Sequence, residues 1–394
     1  MRLIIWCLSF FSIALVAAPL SVEVQANAAI LLNAETGVIL YEKEAYTQAY
    51  PASITKIATA LFLLDQKKLP LDQKVTVSHE AVRLKPVGRE ATSPSYWQEV
   101  DGTSMHLAKG EVVTVEALLH GLLLCSGNDA ANALAEAASG SVPQFIEELN
   151  QYIRQQGCLH TQFQNPHGLH HPEHLTTAYD MGRLAMKAFQ IPTFREIIIK
   201  QGYVKSKTNK QPQTELKQFN RLVLPDNKYF YPKAIGGKTG YHSAASNTLV
   251  AAATHEGRTL VAVLIGSPKR HERCFNDAKR LFETAFAETK QHRLLLSSTE
   301  VYHKNIQGAK GGALKASLAQ DLSISYYPSE EPQTKAFIHW NPPALPIQKG
   351  EKVGEICLFD ERGALLSKGD LLANELVEPT LLFVLQETWH KIFR

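Results

Sequence analysis

At 394 residues the chain exceeds one ordinary domain, and 45% hydrophobic with 20% charged residues describes a globular protein able to bury a large core. A formal charge of +3, with no long run of like charge, excludes the basic strip that nucleic-acid binding requires. Two domains are the expectation.

Arg2 precedes an apolar run over residues 3–18, too short and too N-terminal for a spanning helix. It reads as a secretory signal peptide, here taken as residues 1–26. Cleavage falls either after Ala18, where Pro19 would hinder the peptidase, or after Ala26 in Val24-Gln25-Ala26. Residues 28–32 and 38–41 are short apolar runs around Asn33-Ala34-Glu35-Thr36-Gly37, a predicted β-hairpin. Pro51 suits a helix N-terminus, and Ile54, Ile57, Ala58, Leu61 and Leu64 recur at helical spacing, so a buried helix is expected over residues 53–65. Helices over residues 115–124 and 129–138 leave Ser126 and Asn128 in the turn between them. Thr177 and Asp180 form a capping-box pattern that starts another helix.

Residues 247–253 and 259–266 are apolar and β-branched around His255-Glu256-Gly257-Arg258, a second hairpin, so Lys238-Thr239-Gly240 opens or borders a strand. A helix over residues 276–287 closes a domain assigned to residues 27–290, an α/β sandwich with a mostly antiparallel sheet. Beyond it, alternating stretches at 322–327, 335–340 and 353–359 predict a small all-β domain, residues 291–378. Residues 379–394 follow as an amphipathic helix. Outside the leader, Cys125, Cys158, Cys274 and Cys357 are too scattered for a disulfide framework, and most read as small buried hydrophobes.

Three short motifs stand in order: Ser53-Ile54-Thr55-Lys56, Ser126-Gly127-Asn128 and Lys238-Thr239-Gly240. A serine hydroxyl needs a neighbouring base to become a nucleophile, and residues three apart on a helix share a face, so Lys56 is the candidate base for Ser53. Burial and a second cation, Lys238, would both favour the neutral amine. The amide of Ser53 and that of Tyr241 are candidate oxyanion donors. Gly240 is expected to be small so that a peptide substrate can lie along the strand edge, with Lys238 and Thr239 holding its carboxylate. Ser126 is assigned as a proton relay, and Asn128 as the group that orients Lys56 and a substrate amide. Ser53–Lys56 is the only Ser-x-x-Lys in the chain.

His167, His170, His171 and His174 cluster, and His170 and His174 carry ligand-like i, i+4 spacing. Pro172 opposes a helix there and no carboxylate triad accompanies them, so no metal or other cofactor is expected. His167 reads as a loop residue that holds the domain together.

The set S-x-x-K, S-D-N and K-T-G is an established signature of penicillin-binding proteins and class A β-lactamases. The chain resembles the D-alanyl-D-alanine carboxypeptidases, the low-molecular-mass penicillin-binding proteins of serine peptidase family S11. The resemblance also rests on Leu124-Cys125-Ser126-Gly127-Asn128-Asp129, Asn165-Pro166-His167-Gly168-Leu169, Thr176-Thr177-Ala178-Tyr179-Asp180 and Gly236-Gly237-Lys238-Thr239-Gly240-Tyr241. It implies a β-lactamase/transpeptidase-like catalytic domain followed by a β-sandwich. It further implies removal of the terminal D-alanine from peptidoglycan stem pentapeptides through an acyl-enzyme on Ser53, with β-lactams as inhibitors. Placement at the periplasmic face of the cytoplasmic membrane, attached peripherally by the terminal helix, follows from the same resemblance. Two departures stand out. Residues 83–101 look longer than the family has, and the arginine expected to help hold the substrate carboxylate is shifted, with Arg273 the choice and Arg270 the fallback. A class A β-lactamase would need Glu-x-x-x-Asn, which residues 129–237 lack. A non-catalytic cell-wall-binding or antibiotic-sensing protein would not need the complete proton-handling set.

Overall fold

Strand β1 (Ala28–Asn33) is apolar on both faces: Ile30 and Leu32 enter one core while Ala29 and Leu31 enter another. That alternation, repeated through the neighbouring strands, requires a sheet covered by helices on both sides. The computed structural model describes residues 19–89, 92–268, 272–342 and 344–392, apart from the side chains of residues 272, 273, 391 and 392. The described chain divides at residue 287 into two units, the first from Pro19 to Ala287.

In the first unit β1 pairs with β2 (Ile39–Lys43), and the chain then enters α1 (Thr55–Asp65), buried on all but its last positions. Strands β3 (Lys74–Thr76) and β4 (Val112–Thr114) form a small ladder that leads into α2 (Val115–Leu123), α3 (Asn128–Ser139) and α4 (Val142–Gln155). Helix α5 (Ala178–Gln190) begins where the capping box predicts, with Thr177 Oγ1 accepting from the Asp180 amide at 3.0 Å. After α6 (Pro192–Ile198), the ribbon β5 (Gly202–Lys205) and β6 (Thr214–Lys217) precedes the long strands β7 (Ala234–His242), β8 (Ser246–His255) and β9 (Arg258–Ser267). The main sheet is antiparallel in the order β2-β1-β9-β8-β7. Val250, Ala252, Val261 and Val263 face the core shared with α1, α2 and α5. Leu249, Ala251, Leu260 and Ala262 face the core shared with α7 (Glu272–Phe286).

Two features position the site. β7 is an edge strand whose only ladder partner among the described residues is β8, which leaves its other margin unpaired, the arrangement by which a peptide can add to a sheet. The expected helix start at Ser53 is instead a single 3-10 turn, Ala52–Ile54, that runs into α1 at Thr55.

Residues 22–27 are built into this unit. Val24 and Ala26 are buried, Lys43 Nζ donates to their carbonyls at 2.9 and 2.8 Å, and the Asp277 carboxylate accepts from the amides of Gln25 and Ala26 at 2.9 and 3.2 Å. Residues 1–18 of the expected leader lie outside the described residues.

Apart from a 3-10 turn at Pro328–Glu330, the described elements of the second unit before its last helix are strands. β11 (Tyr302–Asn305), β12 (Ala313–Leu318), β14 (Thr334–Trp340), β15 (Lys352–Asp360) and β16 (Leu365–Ala373) form a sheet in the order β11-β12-β16-β15-β14. β10 (Gln291–Leu296) and β13 (Leu322–Tyr326) pair separately, and Leu314, Leu322, Ile356, Leu358 and Leu371 contribute to a core of its own. Helix α8 (Leu381–Ile392) leaves Leu381, Leu382, Leu385 and Trp389 exposed.

Candidate active site

Ala52 takes φ +51°, a left-handed conformation that costs a residue with a Cβ on the order of 1–2 kcal/mol. Its surroundings hold it there. Thr55 Oγ1 donates to the Ala52 carbonyl at 2.9 Å, and Thr248 Oγ1 to the Pro51 carbonyl at 2.8 Å. Gly168 packs so closely that a Cβ at that position would stand 1.9 Å from the Ala52 oxygen. The strained turn sets Ser53 one turn ahead of Lys56.

Lys56 is fully buried, and its Nζ meets three oxygens: the His167 carbonyl at 2.7 Å, Asn128 Oδ1 at 2.8 Å and Ser53 Oγ at 3.1 Å. Burial, reinforced by the nearby Lys238 charge, holds this amine's pKa well below the ordinary lysine value; Cys125 and Asp129 oppose the shift more weakly. A neutral amine has two N–H bonds and one lone pair. Two of the three neighbours are carbonyl oxygens that only accept, so they take the N–H bonds and the lone pair is left for the Ser53 hydroxyl.

Ser126 also sits at positive φ, +64°, in the turn between α2 and α3. Thr103 clamps that turn: its Oγ1 donates to the Ser126 carbonyl at 2.6 Å while its own carbonyl accepts from the Asn128 amide at 2.9 Å. Asp129 holds the same stretch by accepting from the amides of Met105 and Leu107, each at 2.9 Å. Lys238 Nζ donates to Ser126 Oγ at 2.9 Å and to the Thr239 carbonyl at 2.7 Å, and burial lowers its pKa to about 7. The structure therefore brings Ser53, Lys56 and Asn128 into one hydrogen-bonded set and Ser126 and Lys238 into a second, with the two amines close enough to act on each other.

Lys238, Thr239, Gly240 and Tyr241 lie inside β7, not at its start. Gly240 is small for a reason the sequence does not reveal. A Cβ there would come within 2.7 Å of the Ser53 amide nitrogen and 2.4 Å of Thr248 Oγ1, so the glycine lets the edge strand close onto the nucleophile's turn. Tyr241 is exposed at the strand's end. Of the two arginines, Arg270 lies outside the described residues, as does the side chain of Arg273, whose backbone is in the first turn of α7.

The described residues of the long stretch 83–101 form a lip held by its own side chains. Arg83 lies 3.7 Å over the Trp97 ring, and Trp97 Nε1 donates to Glu80 at 2.8 Å. The lip reaches the site through His167, whose Nε2 is 3.1 Å from the Tyr96 carbonyl while its own carbonyl holds Lys56. Thr103 has no mark in the sequence, and the His167 carbonyl and the missing side chain of Gly168 do work that their motif does not spell out. His174 is buried with both ring nitrogens engaged, by Thr55 Oγ1 at 2.9 Å and the Gln164 amide at 3.0 Å. Among the described residues no three of His, Cys, Asp and Glu form a metal-holding group. Cys125 is a buried free thiol whose pKa burial pushes up to about 11, which keeps it unreactive.

An antiparallel sheet flanked by helices, with an edge strand beside a hydroxyl and a buried amine, is the arrangement of the penicillin-binding protein and β-lactamase class. The chain belongs to the D-alanyl-D-alanine carboxypeptidase family, Peptidase S11, whose model matches residues 14–269. It is 29% identical to the D-alanyl-D-alanine carboxypeptidase DacF of Bacillus subtilis, over 89% of this chain and 85% of that protein. DacC of Escherichia coli, another D-alanyl-D-alanine carboxypeptidase, is 30% identical over 90% of this chain and 85% of its own length. Among solved structures, penicillin binding protein 5 from Haemophilus influenzae superposes with a TM-score of 0.62 at 26% identity, covering 91% of this chain and 99% of that one.

Proposed function

We propose that the protein removes the terminal D-alanine from peptidoglycan stem pentapeptides through an acyl-enzyme on Ser53. The observation that carries this reading is the environment of Lys56, whose two N–H bonds are taken by carbonyl oxygens so that its lone pair is left for Ser53. Ser53 Oγ attacks the carbonyl of the penultimate D-alanine as its proton passes to Lys56. The amides of Ser53 and Tyr241 receive the developing oxyanion. Ser126 conducts the proton onward to the leaving amine while Lys238 and Thr239, with Arg273, hold the carboxylate of the departing D-alanine. Water then attacks the ester, with Lys56 again taking the proton. A β-lactam would acylate Ser53 by the same first step and stay attached.

The test is release of free D-alanine from a peptide ending in D-Ala-D-Ala, together with the intact mass of the protein after penicillin treatment. Turnover and a single adduct, both lost in Ser53→Ala, are expected. Absence of both in the native protein would refute the assignment.

We also propose export and peripheral attachment to the periplasmic face of the membrane. No described helix is long and apolar enough to cross a bilayer, whereas α8 carries an exposed apolar face suited to lie in its surface. Truncation after Pro379 should move the protein to the soluble fraction, and its retention on membranes would contradict the role of α8. Cleavage after Ala18 suits the packing of Val24 and Ala26 better than cleavage after Ala26, and the N-terminal residue of the exported protein decides between them.

A further inference from the structure

One histidine that the reaction does not use stands behind the nucleophile's turn. His174 is buried and stacks on the Phe163 ring with centroids 4.8 Å apart. Its Nδ1 accepts from the Gln164 amide at 3.0 Å, so the ring is neutral and carries its proton on Nε2. Burial acts in the same sense, lowering its pKa to about 3. Nε2 lies 2.9 Å from Thr55 Oγ1. The Thr55 hydroxyl has a single proton, and the Ala52 carbonyl, which can only accept, takes it at 2.9 Å. Only one direction satisfies all three groups: His174 Nε2 donates to Thr55 Oγ1, which donates to the Ala52 oxygen.

What this relay grips is half of a peptide group. The Ala52 carbonyl and the Ser53 amide belong to one trans plane, in which C=O and N–H point in opposite directions, so whatever fixes the carbonyl aims the amide. The carbonyl accepts from the Thr55 amide as well as from its hydroxyl, which leaves the plane little freedom to rotate. The Ser53 amide, in the first turn of a helix, has no helical partner. Its nitrogen lies beside Gly240, 2.7 Å from where a Cβ on that residue would stand, and Tyr241 with the second oxyanion donor follows on the same strand. The stretch 164–174 thus serves both partners of the Ser53–Lys56 contact, the base through the His167 carbonyl and the nucleophile's turn through His174.

Resting on the carboxypeptidase reading above, we propose that His174 is a positioning residue: acting through Thr55, it locks the Ala52–Ser53 peptide plane and so aims the Ser53 amide at the oxyanion of the tetrahedral intermediate. It touches neither the substrate nor the reacting atoms. Without it the left-handed φ of Ala52 is free to relax, and the amide turns away from the developing charge.

The test measures kcat and KM for D-alanine release from a peptide ending in D-Ala-D-Ala, on the full-length protein, normalised to the fraction of molecules that penicillin labels at completion. His174→Leu and Thr55→Val each break the relay while filling similar space; Thr55→Val leaves the ring in place, so the test survives if His174→Leu does not fold. Each should lower kcat on the order of 10–100-fold with KM little changed, short of the roughly 100–1,000-fold that outright loss of an oxyanion donor costs. The double variant should lose no more than the worse single one, because both interrupt one chain. His174→Gln, whose amide can donate to Thr55, and Thr55→Ser, which keeps the hydroxyl, should each recover most of the rate. Unchanged kcat per labelled molecule, with only the melting temperature or the labelled fraction reduced, overturns the relay while leaving the carboxypeptidase intact, and so do additive losses in the double variant. A native protein that neither releases D-alanine nor takes the label overturns both.

Discussion

Replacing Lys238 by methionine should abolish activity and remove a pH-dependent opposition to folding. Burial lowers the pKa of this amine from 10.5 to about 7, and at ~1.4 kcal/mol per pH unit that shift opposes folding by about 5 kcal/mol where it acts in full. The unfolded chain binds a proton that the folded chain releases, so the opposition is complete below about pH 7, shrinks as pH rises and vanishes above 10.5. Methionine fills similar volume without this demand. Against it, Ser126 Oγ and the Thr239 carbonyl lose a donor, at roughly 1–3 kcal/mol each, but that loss does not vary with pH. The decisive quantity is therefore a slope. In urea denaturation at pH 7.5, 8.5 and 9.5, the stability of Lys238→Met relative to the native protein should fall by about 1.4 kcal/mol per pH unit. Release of Lys56 from its cationic neighbour acts in the same direction. A stability difference that is constant across the three pH values would refute the claim that Lys238 is held neutral by burial.

Gly168→Ala places a Cβ 1.9 Å from the Ala52 oxygen at φ +92°, and should destabilise the fold by at least ~2 kcal/mol in thermal melts, with loss of penicillin acylation. Lys205 and Glu111 form a fully buried pair at 3.0 Å, so Lys205→Met alone should cost about 3–5 kcal/mol in denaturant titrations, and adding Glu111→Leu should recover most of it. Asn128→Ala removes one of the two carbonyl acceptors from Lys56 and should lower kcat on the order of 10–100-fold, read as D-alanine release at saturating peptide. Asp277→Ala should free the segment around Gln25 and Ala26, seen as faster hydrogen exchange at those two amides.

Periodic signals carried well from sequence to structure. The apolar spacing from Ile57 to Leu61 gives α1, Thr177 caps α5 as its side chain requires, and the β-branched runs around Gly257 become β8 and β9. Cys125, Cys158, Cys274 and Cys357 are all buried and free, as scattered spacing implies. The motif residues also met, although Ser53 sits in a 3-10 turn, Ser126 in an interhelical turn and Lys238 inside β7. What stayed hidden was backbone work. Ala52 gives no sign of its left-handed turn, since alanine normally avoids it, and the His167 carbonyl that shares Lys56 would be offered equally by any residue. Gly240 was legible as a required glycine, but the closeness of Ser53 and Thr248 was not, because that approach is a tertiary fact. In the second unit, β10, β11, β12 and β16 escaped notice: Tyr302–Asn305 is only four residues long, and Leu365–Ala373 mixes Ser, Lys, Gly and Asp into its run.

An unpaired margin on β7 has a consequence away from chemistry. The unpaired backbone at the exposed end of that strand, around Tyr241, is a template on which an extended chain can dock, including a neighbouring copy or a partly unfolded one. Occupancy by a peptide therefore shields the protein from self-association as well as feeding it a bond to cut, and a ligand-bound population should stay dispersed on heating longer than an empty one.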